Sequence, residues 1–241
     1  MINLRRLDVI RIFALSALLL TCSAISWAQQ RPPIADKMAK AHGLDSFGQV
    51  EGIRYTFTVE RPNGNVSRSW EWNPKTDSVS YEGKDKDGQP VKVTYHRSQA
   101  TGVPEDIDAN FLNDQYWLLL PFHVIWDTSA TVTDEGMQKL PLGDGSGEKL
   151  VVKYPSEGGY SSGDTWDIYV GADDRVQEFV YHRGGPKKPS VVIAPWTDYK
   201  KAGPLLFSLD HQSMADDAPV HIFFSNVAVK MTGSENWINA Q

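Results

Sequence analysis

Ten short stretches of this chain alternate apolar and polar residues with a period of two, and clusters of turn-forming residues separate most of them. In "GIRYTFTVER", Ile53, Tyr55, Phe57 and Val59 alternate with Arg54, Thr56, Thr58 and Glu60. Successive side chains of a strand point to opposite faces, so this segment is a strand with one buried and one wet face. The same pattern recurs in "VSRSWEWN", "DSVSYEG", "PVKVTYHR", "EKLVVKYP", "TWDIYVG", "RVQEFVYHR", "SVVIAP", "LLFSLDH" and "VHIFFSNVAVKM". Between them lie Pro62-Asn63-Gly64-Asn65, Asn73-Pro74-Lys75-Thr76-Asp77, Asp85-Lys86-Asp87-Gly88, Asp173-Asp174 and Gly184-Gly185-Pro186. Links this short join antiparallel neighbours, whereas parallel pairing needs helix-length crossovers. The expectation is a meander of about ten or eleven strands. A sheet that long has to curl, split or close to bury one face.

Two segments break the period. "IADKMAKAHGL" (34–44) places Ile34, Met38 and Ala41 at helical spacing, with Gly43 as its stop. In "GVPEDIDANFLNDQYWLLLP", Pro104 suits a first helical turn, and Glu105, Asp106 and Asp108 suit the positive end of a helix. Ile107, Phe111 and Leu118, with Leu112 and Leu119, make an apolar stripe, and Pro121 forbids the next helical hydrogen bond. The reading is a helix of about four turns ending at Pro121, then an extended "FHVIWD" carrying Trp126 toward a rim. Asn113, Asp114, Gln115, Pro121 and His123 interrupt the apolar run, so it does not read as a membrane span. A helix with one apolar face needs a sheet to cover. The fold class expected is therefore mainly β: a curled antiparallel sheet, or incomplete barrel, covered on its concave side by one or two helices.

The first residues carry Arg5, Arg6 and Arg11, then an apolar run from Ile12 to Leu20, then Ser26-Trp27-Ala28. That order is the order of an export signal cut after Ala28. The expected organisation is a signal peptide over 1–28 and one half-barrel domain over 29–241, placed in the periplasm. Cys22 is the only cysteine and lies inside the signal. A lipid anchor on Cys22 is the alternative, although Thr21 precedes it where a lipoprotein box wants a smaller residue. After a cut at Ala28 the mature chain holds 21 basic and 29 acidic residues, a net charge of −8. No disulfide, catalytic thiol or cysteine-held metal is then available. The acidic balance argues against nucleic acid, which selects a basic stripe.

Motifs for chemistry are weak. Gly159-Tyr160-Ser161-Ser162-Gly163 matches G-x-S-x-G, but a nucleophile elbow needs a helix after the serine, and here the strand "TWDIYVG" follows. The histidines (His42, His96, His123, His182, His211 and His221) show no metal-ligand spacing. His96, His182 and His221 meet only if distant strands bring them together. The pairs Glu105-Asp106, Asp173-Asp174 and Asp216-Asp217 sit where turns and helix starts favour acids. No catalytic residue, metal or cofactor is assigned.

Aromatic residues fall heavily in the strands, where rings on a curled sheet either fill its concavity or line a cavity there. The candidates for a ligand lining are Trp70, Trp72, Tyr81, Phe111, Trp117, Trp126, Trp166 and Phe179.

Several phrases together resemble a family. "AHGLDSFGQVEGIRYTFTVE" is similar to the opening helix and first strand of the periplasmic lipoprotein-carrier-like (LolA/LolB-type) superfamily. "FLNDQYWLLLPFHVIWD", "TWDIYVGADDRVQEFVYHR" and "PWTDYKKAGPLLFSL" resemble later parts of envelope relatives of the carriers rather than the carriers proper. The resemblance spans about 34–230. It implies an incomplete antiparallel barrel wrapped around helices and enclosing an apolar cavity, which in the carriers takes the acyl chains of lipoproteins. The function expected is non-catalytic binding or carriage of a hydrophobic ligand, a lipid or acyl chain. The alternatives are an interaction module of an envelope assembly, with a protein partner, and a hydrolase using Ser161 or a scattered histidine–aspartate site.

Overall fold

The computed structural model describes residues 30–241 apart from 86, 100–102, 104, 186 and 187. The export signal, Cys22 and Pro104 lie outside the described residues. Among those described, the chain forms helices α1 (Pro33–Ala41), α2 (Leu44–Phe47) and α3 (Glu105–Trp126). Its strands are β1 (Val50–Glu60), β2 (Val66–Asn73), β3 (Ser78–Lys84), β4 (Pro90–His96), β5 (Thr131–Lys139), β6 (Ser146–Lys153) and β7 (Thr165–Val170). They continue with β8 (Val176–Arg183), β9 (Ser190–Pro195), β10 (Thr197–Ala202), β11 (Leu205–Ala215), β12 (Ala218–Met231) and β13 (Trp237–Asn239).

All 13 strands belong to one antiparallel sheet, in the order β4-β3-β2-β1-β12-β11-β9-β8-β7-β6-β5, with β10 on β11 and β13 on β12. The sheet curls and is not closed: β4 and β5 are its two edges. A curled sheet with helices is what the alternating pattern predicts. The meander, however, is two meanders sutured together. β1 pairs with β12 over a long register from Val50↔Met231 to Glu60↔His221. The two edge strands are consecutive in sequence, so the segment between them has to cross the open side of the sheet. That segment is α3, and topology alone puts it in the concavity.

The sequence reading of α3 needs a correction. The helix does not end at Pro121; it runs through it to Trp126, with a kink at Leu119 (φ −112°, ψ 16°). Proline removes one helical hydrogen bond and leaves the carbonyl four residues earlier, that of Trp117, without its partner. Burial offsets that loss. Leu118, Leu119, Leu120, Phe122 and Val124 are almost wholly inaccessible, so stopping the helix would expose a core. The Trp117 carbonyl lies close to the buried His211 ring on β11, whose affinity for a proton it increases. "FHVIWD" is thus the last turns of a helix rather than an extended exit. Trp126 packs edge-on against Phe47 at 4.6 Å and stacks on Phe122 at 5.3 Å.

Residues of the first meander that point inward, Ile53, Tyr55, Phe57, Val59, Trp70, Val79 and Tyr81, are buried against α3. Helix α1 buries Ile34, Ala35, Met38 and Ala39, and Gly43 ends it as the spacing predicts. Gly43 has φ +103°, and a Cβ there would sit 2.5 Å from the Pro204 carbonyl oxygen. Both the left-handed backbone and the close approach require glycine. Gly43→Ala is expected to destabilise the protein by roughly 1–3 kcal/mol, read as a lower urea midpoint. Gly48, with ordinary φ and open space around its Cα, is the control: Gly48→Ala should shift the midpoint by under about 0.5 kcal/mol equivalent.

Candidate functional site

The eight aromatic candidates separate into two groups on either side of α3. On the side of the first meander, Trp70 packs on Tyr81 (4.5 Å) and Phe111 (5.4 Å), and Phe111 meets Trp72 (6.1 Å). Trp126 belongs to this side through Phe47, which also meets Trp72. On the other side, Trp117 meets Trp166 (5.0 Å), Phe179 (5.5 Å) and Tyr181 (5.5 Å), in a cluster that continues to Trp196 and His211. Edge-on and tilted rings at these separations are packed against one another. Helix α3 therefore fills the middle of the concavity.

Space remains at one end. A cavity of about 470 Å³ opens where the hairpin turns after β1, β8 and β11 come together. Its walls are Phe57 and Val59 of β1, Val192 of β9, Ala215 of β11 and Ile222 of β12. Trp117 and Asn113 of α3 face it from the helix side, and Tyr160 closes that side by donating a hydrogen bond to Asn113 Oδ1 (3.1 Å). Of the eight candidates only Trp117 lines this mouth. The volume lies within the roughly 300–1,000 Å³ of small-molecule sites. Two larger hollows have a different character. One of about 540 Å³ lies on the convex face over Arg54, Thr56, Glu71, Ser80, Glu82 and Lys92; the other, about 880 Å³, lies among the tips of β2, β3 and β4. In both, most of the lining residues are polar, whereas the mouth gathers apolar side chains of β1, β9, β12 and α3 beneath polar ones at its edge.

The rim is cationic. Arg61, Arg68 and Arg183 line the mouth, and among the described residues no aspartate or glutamate does. Arg68 is committed to Asp114 on α3, with Nε and Nη2 donating to the two carboxylate oxygens at 2.7 and 2.6 Å. Trp70 Nε1 (2.8 Å) and Asn113 Nδ2 (3.0 Å) donate to the same carboxylate, whose side chain is wholly buried. Burial pushes the Asp114 pKa up, opposed by Arg68 and the other donors. Four hydrogen bonds from three side chains, one of them a two-pronged guanidinium, favour its anionic form. Arg68 also lies over the Phe57 ring at 5.2 Å, which ties the ion pair to the cavity wall. Arg183 donates Nε–H to the Lys188 carbonyl (2.8 Å). Neither Arg61 nor Arg183 forms an ion pair among the described residues.

The sequence reading passed over these arginines, although their phase marked them. Arg68 alternates in step with Trp70 and Trp72, and Arg183 with Phe179 and Tyr181, so both belong to the inward face. Ser161 is buried in a turn before β7, and among the described residues no hydrogen bond joins its hydroxyl to a histidine. Tyr116 donates to Asp127 (2.5 Å), which also accepts from Tyr154 (2.7 Å) and is met by His123 Nδ1 (3.3 Å). No helix follows the serine, so the geometry is not a nucleophile elbow. His96, His182 and His221 do not meet. Their partners are the Thr76 carbonyl, Asp167, and Glu60 with Asp210, respectively. Among the described residues no helix is long and apolar enough to cross a membrane.

No protein-family model matches the chain, and neither does any curated protein sequence. Among solved structures it is similar to a DUF1329 family protein from Desulfovibrio piger, at 9% identity and a TM-score of 0.45, covering 84% of this chain and 93% of that one. It is similar to a LolA superfamily protein from Nitrosomonas europaea at 7% identity and 0.45, over 80% and 92% of the two chains. A third is an outer membrane lipoprotein-sorting protein domain from Vibrio parahaemolyticus, at 9% and 0.46, over 84% and 95%. With each TM-score below 0.5, the half-barrel reading rests on the strand order, the register and the helix that crosses between the edges.

Proposed function

We propose that this protein is an exported, periplasmic binding or carrier protein for a hydrophobic ligand, a lipid or acyl chain, and that the mouth at the turn end of the half-barrel receives it. Residues 1–28 would be removed on export, leaving one half-barrel domain. The observation that carries the reading is the mouth itself. It is an apolar hollow of about 470 Å³ left open beside a concavity that is otherwise filled by α3 and its rings. Apolar side chains gathered round a concave opening, with a few polar groups at its edge, are the usual form of a ligand site. The aromatic clusters have a supporting part: they fix α3 against the sheet and so hold Trp117 as the floor.

Binding of the neutral apolar fluorophore N-phenylnaphthylamine tests this. One saturable site per chain is expected, with quenching of tryptophan emission as Trp117 is covered. Ala215→Trp, which places a large ring in the hollow, should weaken binding by about tenfold or more, the equivalent of losing one well-packed apolar group. Failure of the unaltered protein to bind would remove the reading. Lipid co-purified from envelope extract and released in native mass spectrometry would identify the physiological occupant.

A further inference from the structure

Resting on that reading, we infer that the ligand of the mouth is an anionic amphiphile, its chain on the apolar walls and its charged group held by Arg61 and Arg183. The whole chain is acidic, with a formal charge of −6, yet among the described residues the mouth is lined by three arginines and no carboxylate. Arg68 is neutralised by Asp114, so its presence is explained by packing. Arg61 and Arg183 are not explained in that way. They stand on the turns after β1 and at the end of β8, on opposite sides of the opening, and neither is ion-paired among the described residues.

Two acids near the mouth are hydrogen-bonded to neutral donors, which chiefly hold the carboxyl of one of them, Asp216, below the usual value, with Arg183 helping only at longer range. Asp216 accepts hydrogen bonds from Val191 N–H (2.7 Å) and Ser190 Oγ (2.8 Å), and Asp164 accepts from Tyr181 (3.1 Å) and Gly184 N–H (3.0 Å). Two guanidinium groups at an opening, each presenting a fork of N–H donors, match a carboxylate or phosphate. A small hydrophilic anion would make no use of the apolar walls that Phe57, Val59, Val192 and Ile222 form. An apolar molecule without charge would leave both arginines unused. One molecule satisfies both halves of the site: an acyl chain ending in an anionic group. Fatty carboxylates and lipid phosphates share that chemistry.

The test uses ligands with one dodecyl chain and different heads: laurate, dodecyl phosphate, dodecyl maltoside and dodecyltrimethylammonium, each below its micelle concentration. Their displacement of N-phenylnaphthylamine gives affinities. The anionic pair should bind about tenfold or more tighter than the maltoside, since charged hydrogen bonds are being made at a half-shielded rim, and the ammonium should bind weakest. The advantage should shrink as salt is raised. In Arg61→Gln/Arg183→Gln the ratio of anionic to neutral affinity should fall to about twofold or less, while Lys92→Gln on the convex face keeps it. Arg61 is exposed and Arg183 half-buried, and an unchanged urea midpoint verifies that the double variant folds. The stronger of laurate and dodecyl phosphate names the source of the head. Equal affinity for all four heads overturns the inference and leaves the hydrophobic site standing. Tight binding of inorganic phosphate or butyrate overturns it in favour of an anion site without a chain. No binding of any dodecyl ligand overturns both readings.

Discussion

Asp114→Ala should cost this protein about 3–5 kcal/mol of stability, among the largest effects of any single side-chain truncation in it. The size follows from what stays behind. Arg68 is only 15% exposed and donates both prongs of its guanidinium to Asp114; Trp70 Nε1–H, fully inside, donates to the same oxygen as Arg68 Nε. With the carboxylate gone, a cation and an indole N–H remain buried without partners, and each is more costly unpaired than the pair was favourable. The urea midpoint should fall without a large change in m, because the surface exposed on unfolding is the same. Arg68→Met/Asp114→Leu separates this account from simple loss of packing. Removing both charges together removes the uncompensated cation, so the double variant should recover most of the loss. If it is no more stable than Asp114→Ala, the penalty comes from shape rather than unpaired charge. The same comparison bears on the mouth, because Arg68 lies over Phe57 and belongs to the cavity rim. The double variant should therefore also alter the affinity for the apolar probe.

That ion pair also shows where the sequence is readable and where it is not. The alternation of β1 declares its buried face without ambiguity, because a slip of one residue would invert every side chain. Strand β5, "TVTDEGMQK", carries no such message: in it only Val132 is buried, since an edge strand needs one face only where something covers it. Strand β10, "TDYKKA", is similarly polar and carries no alternation that marks it as a strand. Pro121 misled for a different reason. The rule that proline ends a helix is local, and here the tertiary burial on both sides of it outweighs one lost hydrogen bond. Asp114 looked like a polar interruption in an apolar helix, because the cation that pairs with it lies 46 residues earlier. The mouth was invisible for the same reason. It exists because β1 pairs with β12, which sets the turn holding Arg61 beside the turn holding Ala215, and no local pattern encodes that register.

Lowering the pH from about 8 to about 4.5 should remove about 5 kcal/mol of stability through two histidines alone. His42 and His211 are almost wholly buried, and burial is the main reason their pKa values fall from the ordinary 6.5 to about 4. In each, Nδ1–H donates to a carbonyl, Met38 at 2.8 Å for His42 and Pro195 at 3.2 Å for His211, which fixes the ring and raises its proton affinity, an effect that burial outweighs. The folded pKa lies below the unfolded one, so between the two values the unfolded chain binds protons that the folded chain does not. The contribution is complete above the unfolded value, declines as pH falls through 6.5, and is gone below 4. Each histidine accounts for about 2.5 kcal/mol at the lower pH, and the two together give a slope of about 2.4 kcal/mol per pH unit near 5. Urea midpoints across this range measure the slope. His42→Gln and His211→Gln should each halve it, even where the substitution lowers stability at pH 8, because the slope counts protons and not contacts. A slope unchanged in both variants would mean that other groups carry the acid sensitivity. His211 has the wider consequence, since its ring lies by the carbonyl that Pro121 leaves free and against Phe224 and Trp196. Charging it would loosen the seat of α3 on β11, and the mouth, whose floor is Trp117 on that helix, should lose its apolar ligand in the same pH range in which the protein loses stability.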